Sequence, residues 1–296
     1  MNQSLKKFLE PGQVIQPVPT DQESCGMKLP GIKAFIFDIY GTLLISVSGD
    51  VGSAVQSGSS GAFRHALTAA GLENCSEDLY EKIRDLFFGY IKETHSRLRT
   101  EGYPHPEVDI VKVWTDILVN SDLSSIYPNI TAIHPEIAAA AYESTVNPVY
   151  PMPGMFELLS HPLLQNAELG IISNAQFYTP LIFDYLTDGG LAGLGFNPEL
   201  CIYSYTERRA KPDLILFETH AERLASCGIH PSEAVFIGND MLNDIMPAAM
   251  AGYRTILFAG DKRSLRLRLD HDACKDIKPD VIVNNLIDIP DYIQEG

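Results

Sequence analysis

A chain of 296 residues is long enough for one large domain or two smaller ones, and 45% hydrophobic against 20% charged residues allows a substantial core. Lys and Arg number 22 against 38 Asp and Glu, a net charge of -16, so neither nucleic acid nor an anionic membrane is an expected partner. The same field repels a small anionic substrate unless local cations or a bound metal offset it.

Residues 1–31 have no basic start followed by an apolar segment. They read as a polar, proline-containing arm rather than a signal peptide, either disordered or in contact with a second copy in a homo-oligomer. The 5 cysteines (Cys25, Cys75, Cys201, Cys227, Cys274) show no CxxC spacing, which predicts reduced thiols and a cytoplasmic location. No apolar run is long enough to span a bilayer.

The first buried strand is "KAFIFD" (33–38). After it comes "SVSGDVGSAVQSGSSG" (46–61), a Gly/Ser-rich stretch that reads as a hinge. Helical patterns follow: "AFRHALTAAGL", "EDLYEKIRDLFFGYIKETHSRLRTEG", "PEVDIVKVWTDILV" and "PEIAAAAYESTV". Leu79, Ile83, Leu86, Phe87, Tyr90 and Ile91 fall on one helical stripe. "NPVYPMPG" (147–154) returns the chain to strands: "ELGIIS" (168–173), "ELCIYS" (199–204), "AVFIG" (234–238), "RTILFA" (254–259) and "DVIV" (280–283). These short apolar runs between helical segments predict an α/β fold. Its core, residues 32–47 and 150–296, is a Rossmann-like parallel sheet with helices on both faces, and an α-helical cap occupies 48–149.

In an open parallel sheet, functional groups collect beyond the carboxyl ends of the strands. Asp38, Tyr40, Gly41 and Thr42 follow the first strand, and Ser173 and Asn174 end the second. Asn239 and Asp240 follow "AVFIG", with Asp244 one turn later, and "ERRAKPDLILFE" supplies Lys211 before Pro212. Each has an ordinary structural reading: Asp38 as a strand-end turn, Ser173-Asn174 as a helix cap, Asp244 as a cap for "IMPAAMAG". Lys211 is less ordinary, because a cation at the start of a helix opposes the helix dipole unless it addresses an anion.

The four segments in this order resemble the haloacid dehalogenase-like (HAD) hydrolase superfamily, whose pattern is D-x-[DY]-G-T, a strand-end Ser/Thr, a Lys before a helix that a Pro (here Pro212) starts, and paired acids. The resemblance covers most of residues 32–285. It implies Asp38 as nucleophile, with Tyr40, Ser173 and Lys211 as further catalytic residues. It also implies substrate binding by Gly41, Thr42, Ser173, Asn174 and Lys211. Mg²⁺ would be held by Asp38, the Tyr40 carbonyl, Asp240 and Asp244, as suits hard oxygen ligands.

Position 40 divides the family resemblance. Phosphatases of the superfamily carry a second Asp there, whereas a tyrosine with an unperturbed pKa of ~10 is a feeble base near neutrality. D-x-Y-G-T resembles the L-2-haloacid dehalogenases, in which a halide leaves without a proton. Those also resemble one another in an arginine soon after the first motif, and here the first is Arg64. Asn239 stands directly after Gly238, where an acid is more usual. The leading expectation is a Mg²⁺-dependent phosphatase of a small metabolite. Carbon–halogen hydrolysis is the alternative, and a non-catalytic relative that binds a phosphorylated ligand is the third. The cap offers Tyr103, His105, Lys112 and Trp114 as residues for substrate choice.

Overall fold

The computed structural model describes residues 3–48, 60–72 and 75–294, so most of the Gly/Ser-rich stretch lies outside the described residues. Chain order begins α1 (Gln3–Leu9), β1 (Cys25–Gly26), β2 (Leu29–Pro30), β3 (Ala34–Phe37), β4 (Leu44–Ser46). The inserted helices are α2 (Ser60–Ala69), α3 (Glu77–Thr100), α4 (Ile110–Leu118), α5 (Ser121–Ile126) and α6 (Pro135–Val146). The chain returns through β5 (Val149–Pro151), α7 (Met155–Leu159), α8 (Pro162–Gln165), β6 (Glu168–Ser173), α9 (Tyr178–Leu186), α10 (Gly190–Gly193) and β7 (Phe196–Tyr203). It ends with α11 (Ser204–Glu207), α12 (Leu214–Ser226), β8 (Ala234–Gly238), α13 (Met246–Met250), β9 (Arg254–Phe258), β10 (Val281–Val283) and β11 (Ile293–Gln294).

The main sheet runs β1-β10-β9-β8-β3-β6-β7, parallel throughout except for β1. Its middle strands read as unbroken apolar runs because both faces are covered; all four residues of β3 and all five of β8 are buried. Phe35 and Phe37 point into one core layer, while Ala34 and Ile36 face Leu216, Phe217 and Leu224 of α12 in the other. Phe37 pairs with Ile171 of β6 and with Ile237 of β8, so β3 ends level with both neighbours. That register brings three chain-distant strand ends to one place.

The inserted helices leave and rejoin the sheet through β4 and β5, which pair antiparallel. They pack around an aromatic cluster in which Phe63 lies 4.8 Å from Tyr142 and Phe87 lies 5.5 Å from Trp114. Leu79, Ile83 and Phe87 of the α3 stripe are buried, with Leu86, Tyr90 and Ile91 packed beside them.

From Gln3 onward the arm packs against the core at several points. Leu5 and Leu9 of α1 enter the core. Thr20 donates to the Ala259 carbonyl at 2.6 Å, Ser24 bonds Asn284 at 3.1 Å, and β1 extends the sheet beside β10. Only two residues form each arm strand, too short a run to show a period. None of the five cysteines is in a disulfide, and among the described residues no helix is long and apolar enough to cross a membrane.

Candidate active site

Asp38 follows β3 directly, and its backbone N–H donates to Ile237 O at 2.9 Å, which fixes its height at the sheet's carboxyl edge. The chain then turns through Gly41 at φ +84, where a Cβ would stand 2.6 Å from Ser264 Cβ and 2.8 Å from Asn239 Nδ2. Glycine is needed here both for the positive φ and for the closeness of the 239 and 264 loops. Thr42, fully buried, donates to Asn239 Oδ1 at 3.1 Å, so its side chain braces a neighbouring loop.

Ser173 Oγ donates to Asp38 Oδ1 at 2.9 Å, and Lys211 Nζ donates to the same oxygen at 2.8 Å. Lys211 also reaches Asp244 Oδ1 at 2.5 Å. Asn174 holds the lysine's backbone from both sides, accepting Lys211 N at 2.7 Å and donating to Lys211 O at 3.4 Å. Pro212 does not begin α12; Asp213 is its N-cap, accepting from Ile215 N, and the lysine stands just ahead of that cap. Burial alone would depress the Lys211 ammonium, but Asp244 and Asp38 outweigh it and raise its pKa above the ordinary lysine value. Asp244 is pushed up to about 7 by burial, with Asp38 and Asp240 adding to the effect against the pull of Lys211.

Tyr40 points elsewhere. Its hydroxyl pairs with Thr179 Oγ1 at 2.9 Å inside the protein. Burial first, then Glu143 and Asp38, raise the phenol's pKa further above its ordinary value. Tyr40 lines a cavity of about 860 Å³ whose walls include Phe8 and Leu9 of the arm, His65 of α2, Glu143 of α6 and Tyr178 of α9. Burial also raises the Glu143 carboxyl, despite hydrogen bonds from Asn147 and Tyr178.

The inserted helices are seated on the core close to Lys211. His105 O accepts Ala210 N at 2.7 Å, Gln176 Nε2 donates to Val108 O at 2.8 Å, and Ser204 Oγ donates to Glu107 at 2.9 Å. Burial pushes Glu107 up to about 7, against its hydrogen bonds from Ser204 and Val108. Of the residues expected there, Tyr103 stacks under Arg209 at 4.2 Å and Lys112 pairs outward with Asp116 at 3.1 Å. Trp114 is fully buried among its own helices. Arg208 reaches Glu101 and Arg209 binds Asp213, so both are committed to ion pairs. Arg64, the first arginine after β3, pairs with Glu77 and lies over Tyr80 at 5.0 Å, away from Asp38.

The fourth segment differs most from expectation. Asp240 is gripped by Arg268, Nε to Oδ1 at 3.1 Å and Nη2 to Oδ2 at 2.7 Å. Its oxygens also accept Leu242 N at 2.8 Å, Asn243 N at 3.4 Å and Asn243 Nδ2 at 3.0 Å. Asp244 Oδ2 accepts the backbone N–H groups of Asn239 at 3.0 Å and Asp240 at 2.9 Å. The Mg²⁺ set expected from Asp38, Tyr40, Asp240 and Asp244 does not fit this arrangement. The Asp240 oxygens are filled by protein donors, Asp244 is engaged by Lys211 and two backbone N–H groups, and no cluster of three or more acidic, His or Cys ligands occurs among the described residues.

Residues 208–289 match the HAD-hydrolase-like family. A search of curated protein sequences gave no significant match. Among solved structures the chain is similar to a 2-haloacid dehalogenase from Pseudomonas syringae pv. Tomato, at 22% identity, covering 88% of this chain and 97% of that one with a TM-score of 0.55. It is also similar to a HAD phosphatase from Thermococcus onnurineus, at 18% identity over 88% and 97% with a TM-score of 0.49. An L-2-haloacid dehalogenase from Xanthobacter autotrophicus gives 19% over 88% and 97%, with a TM-score of 0.44. The fold is that of the HAD-like hydrolases.

Proposed function

We propose that the protein is a hydrolase in which Asp38 attacks carbon and displaces a leaving group that departs without a proton, a halide from a small organic halide. The observation that carries this reading is the Tyr40–Thr179 pair: the residue beside the nucleophile is a buried phenol committed to a threonine. The filled oxygens of Asp240 support it, since a phosphoryl group has no metal seat there.

The balance is simple. One Asp38 oxygen forms an ester bond to carbon as the carbon–halogen bond breaks and the halide leaves with the bonding pair. Ser173 and Lys211 hold Oδ1, so attack falls to Oδ2. Water then adds to the ester carbonyl, releasing the alcohol and restoring the carboxylate. Asp244, with a pKa of about 7 and bound to the same ammonium, can accept the water's proton near neutrality. Lys211 stabilises the negative charge on the oxygen during that step.

A panel of short organic halides and an aryl phosphate, each with chelator and with Mg²⁺, tests the reading. Halide release that survives chelator and is lost in Asp38→Asn supports it. Phosphate release that requires Mg²⁺, with no halide from any substrate, overturns it in favour of the second reading, phosphate ester hydrolysis. Ser173 at the end of β6 and Lys211 ahead of α12 favour that second reading, being donors that converge on one oxygen of Asp38.

A further inference from the structure

We infer that Arg268 is the resident cation of this site: its guanidinium takes at Asp240 the place a divalent ion would have, and so bars Mg²⁺ from the cleft. It shares with the proposed function the filled carboxylate of Asp240, and its test reads metal binding rather than turnover.

The first ground is donor arithmetic. A carboxylate offers about four lone-pair directions. Asp240 meets five contacts, two from the Arg268 fork and three from Leu242 and Asn243. An ion bound to Asp240 would have to displace the fork, which is planar and matches a carboxylate in two parallel bonds. The Asp240 side chain is 9% exposed, so water competes little for these bonds.

The second ground is that backbone, not a long side chain's reach, delivers Arg268. The segment after β9 is laced to the loop after β8: Arg266 N donates to Asn239 O at 3.0 Å, Met241 N to Arg266 O at 2.9 Å, and Asn239 Nδ2 to Ser264 O at 2.7 Å. Asn239, where an acid is more usual, is spent on this lacing. Arg268 itself sits at φ +50, a left-handed conformation that an arginine rarely adopts, and it directs the side chain back over Asp240.

The third ground is charge. Asp38, Asp240 and Asp244 face Lys211 and Arg268, three carboxylates against two fixed cations. Without Arg268 the imbalance doubles, and a divalent cation becomes the natural remedy.

Mn²⁺ serves as the probe, read by its paramagnetic resonance signal and by the melting temperature of the full chain. Wild type is expected to leave Mn²⁺ free in solution and to melt at the same temperature in chelator and in excess Mg²⁺. Arg268→Ala is expected to bind one Mn²⁺ at least about tenfold more tightly than wild type and to gain melting temperature with Mg²⁺. Arg268→Lys, which keeps a charge but not the fork, is expected to fall between them. Stoichiometric Mn²⁺ binding by wild type overturns the proposal, whether or not the alanine variant folds. So does a folded Arg268→Ala protein that binds no more Mn²⁺ than wild type.

Discussion

The hydroxyl of Tyr40 and Oγ1 of Thr179 lie 2.9 Å apart, a buried pair that joins the turn after β3 to the first turn of α9. A phenol held this way, with its pKa raised by burial, neither gives nor takes a proton near neutrality. Tyr40→Phe is therefore expected to keep turnover within about threefold while losing about 1 kcal/mol of stability from the broken hydrogen bond. A hundredfold fall in turnover, with the melting curve unchanged, would place the phenol in the chemistry.

Asp38 and Lys211 make the opposite prediction. Asp38→Asn is expected to lower turnover at least about 10³-fold with little change in fold. Lys211→Met leaves Asp38 and Asp244 without their shared cation, and costs roughly 3–5 kcal/mol in addition to activity. Multiple turnovers in ¹⁸O-water should place label in the Asp38 side chain, read by peptide mass. Unlabelled Asp38 after many turnovers would mean that water attacks the substrate directly.

Under the proposed hydrolysis, Asp244 is expected to set the pH dependence of activity. Its carboxyl is raised to about 7, so the basic form grows as pH rises through that value. The rate of ester breakdown should rise by about tenfold in all between pH 6 and pH 8 and then level. Asp244→Asn should lose both the rate and the slope, so a slope that persists in the variant assigns it to another group.

His220 governs stability rather than turnover. Burial lowers its pKa to about 4, and its ring nitrogens pair with Tyr253 at 2.9 Å and the Leu200 carbonyl at 3.0 Å. A histidine whose folded pKa lies below its unfolded value of ~6.5 leaves the unfolded state holding more protons. Stability should therefore fall as pH drops from ~6.5 to ~4, by roughly 3 kcal/mol. Denaturant midpoints at pH 7 and pH 4.5 measure this, and His220→Asn should flatten the difference.

The arm is testable at Leu9, which is buried and also lines the cavity beside Tyr40. Leu9→Ala should cost about 2 kcal/mol. If the cavity receives part of the substrate, the variant should raise KM more than it lowers kcat. An unchanged melting temperature would mean that α1 does not pack in solution.

Much of this architecture is legible in the chain. "ELGIIS" and "AVFIG" became β6 and β8 residue for residue, because strands covered on both faces must be apolar without a break. The four segments around Asp38 could be read together: each alone has an ordinary structural use, but their residue types and order match one family pattern. Arg268 could not be read. In "SLRLRLD" (264–270) it looks like any surface arginine, and its partner Asp240 stands 28 residues away. The two arm strands were equally hidden, since two residues make no pattern.

The sequence by itself determined the elements, their order and the types of residue gathered at the sheet's carboxyl edge, because burial and backbone hydrogen bonding act over short stretches. Only the tertiary structure decided which cation each acid would take, and that Tyr40 would turn to Thr179 rather than to the cleft. Such pairings follow from strand register and loop lacing between distant segments, and no local pattern encodes them.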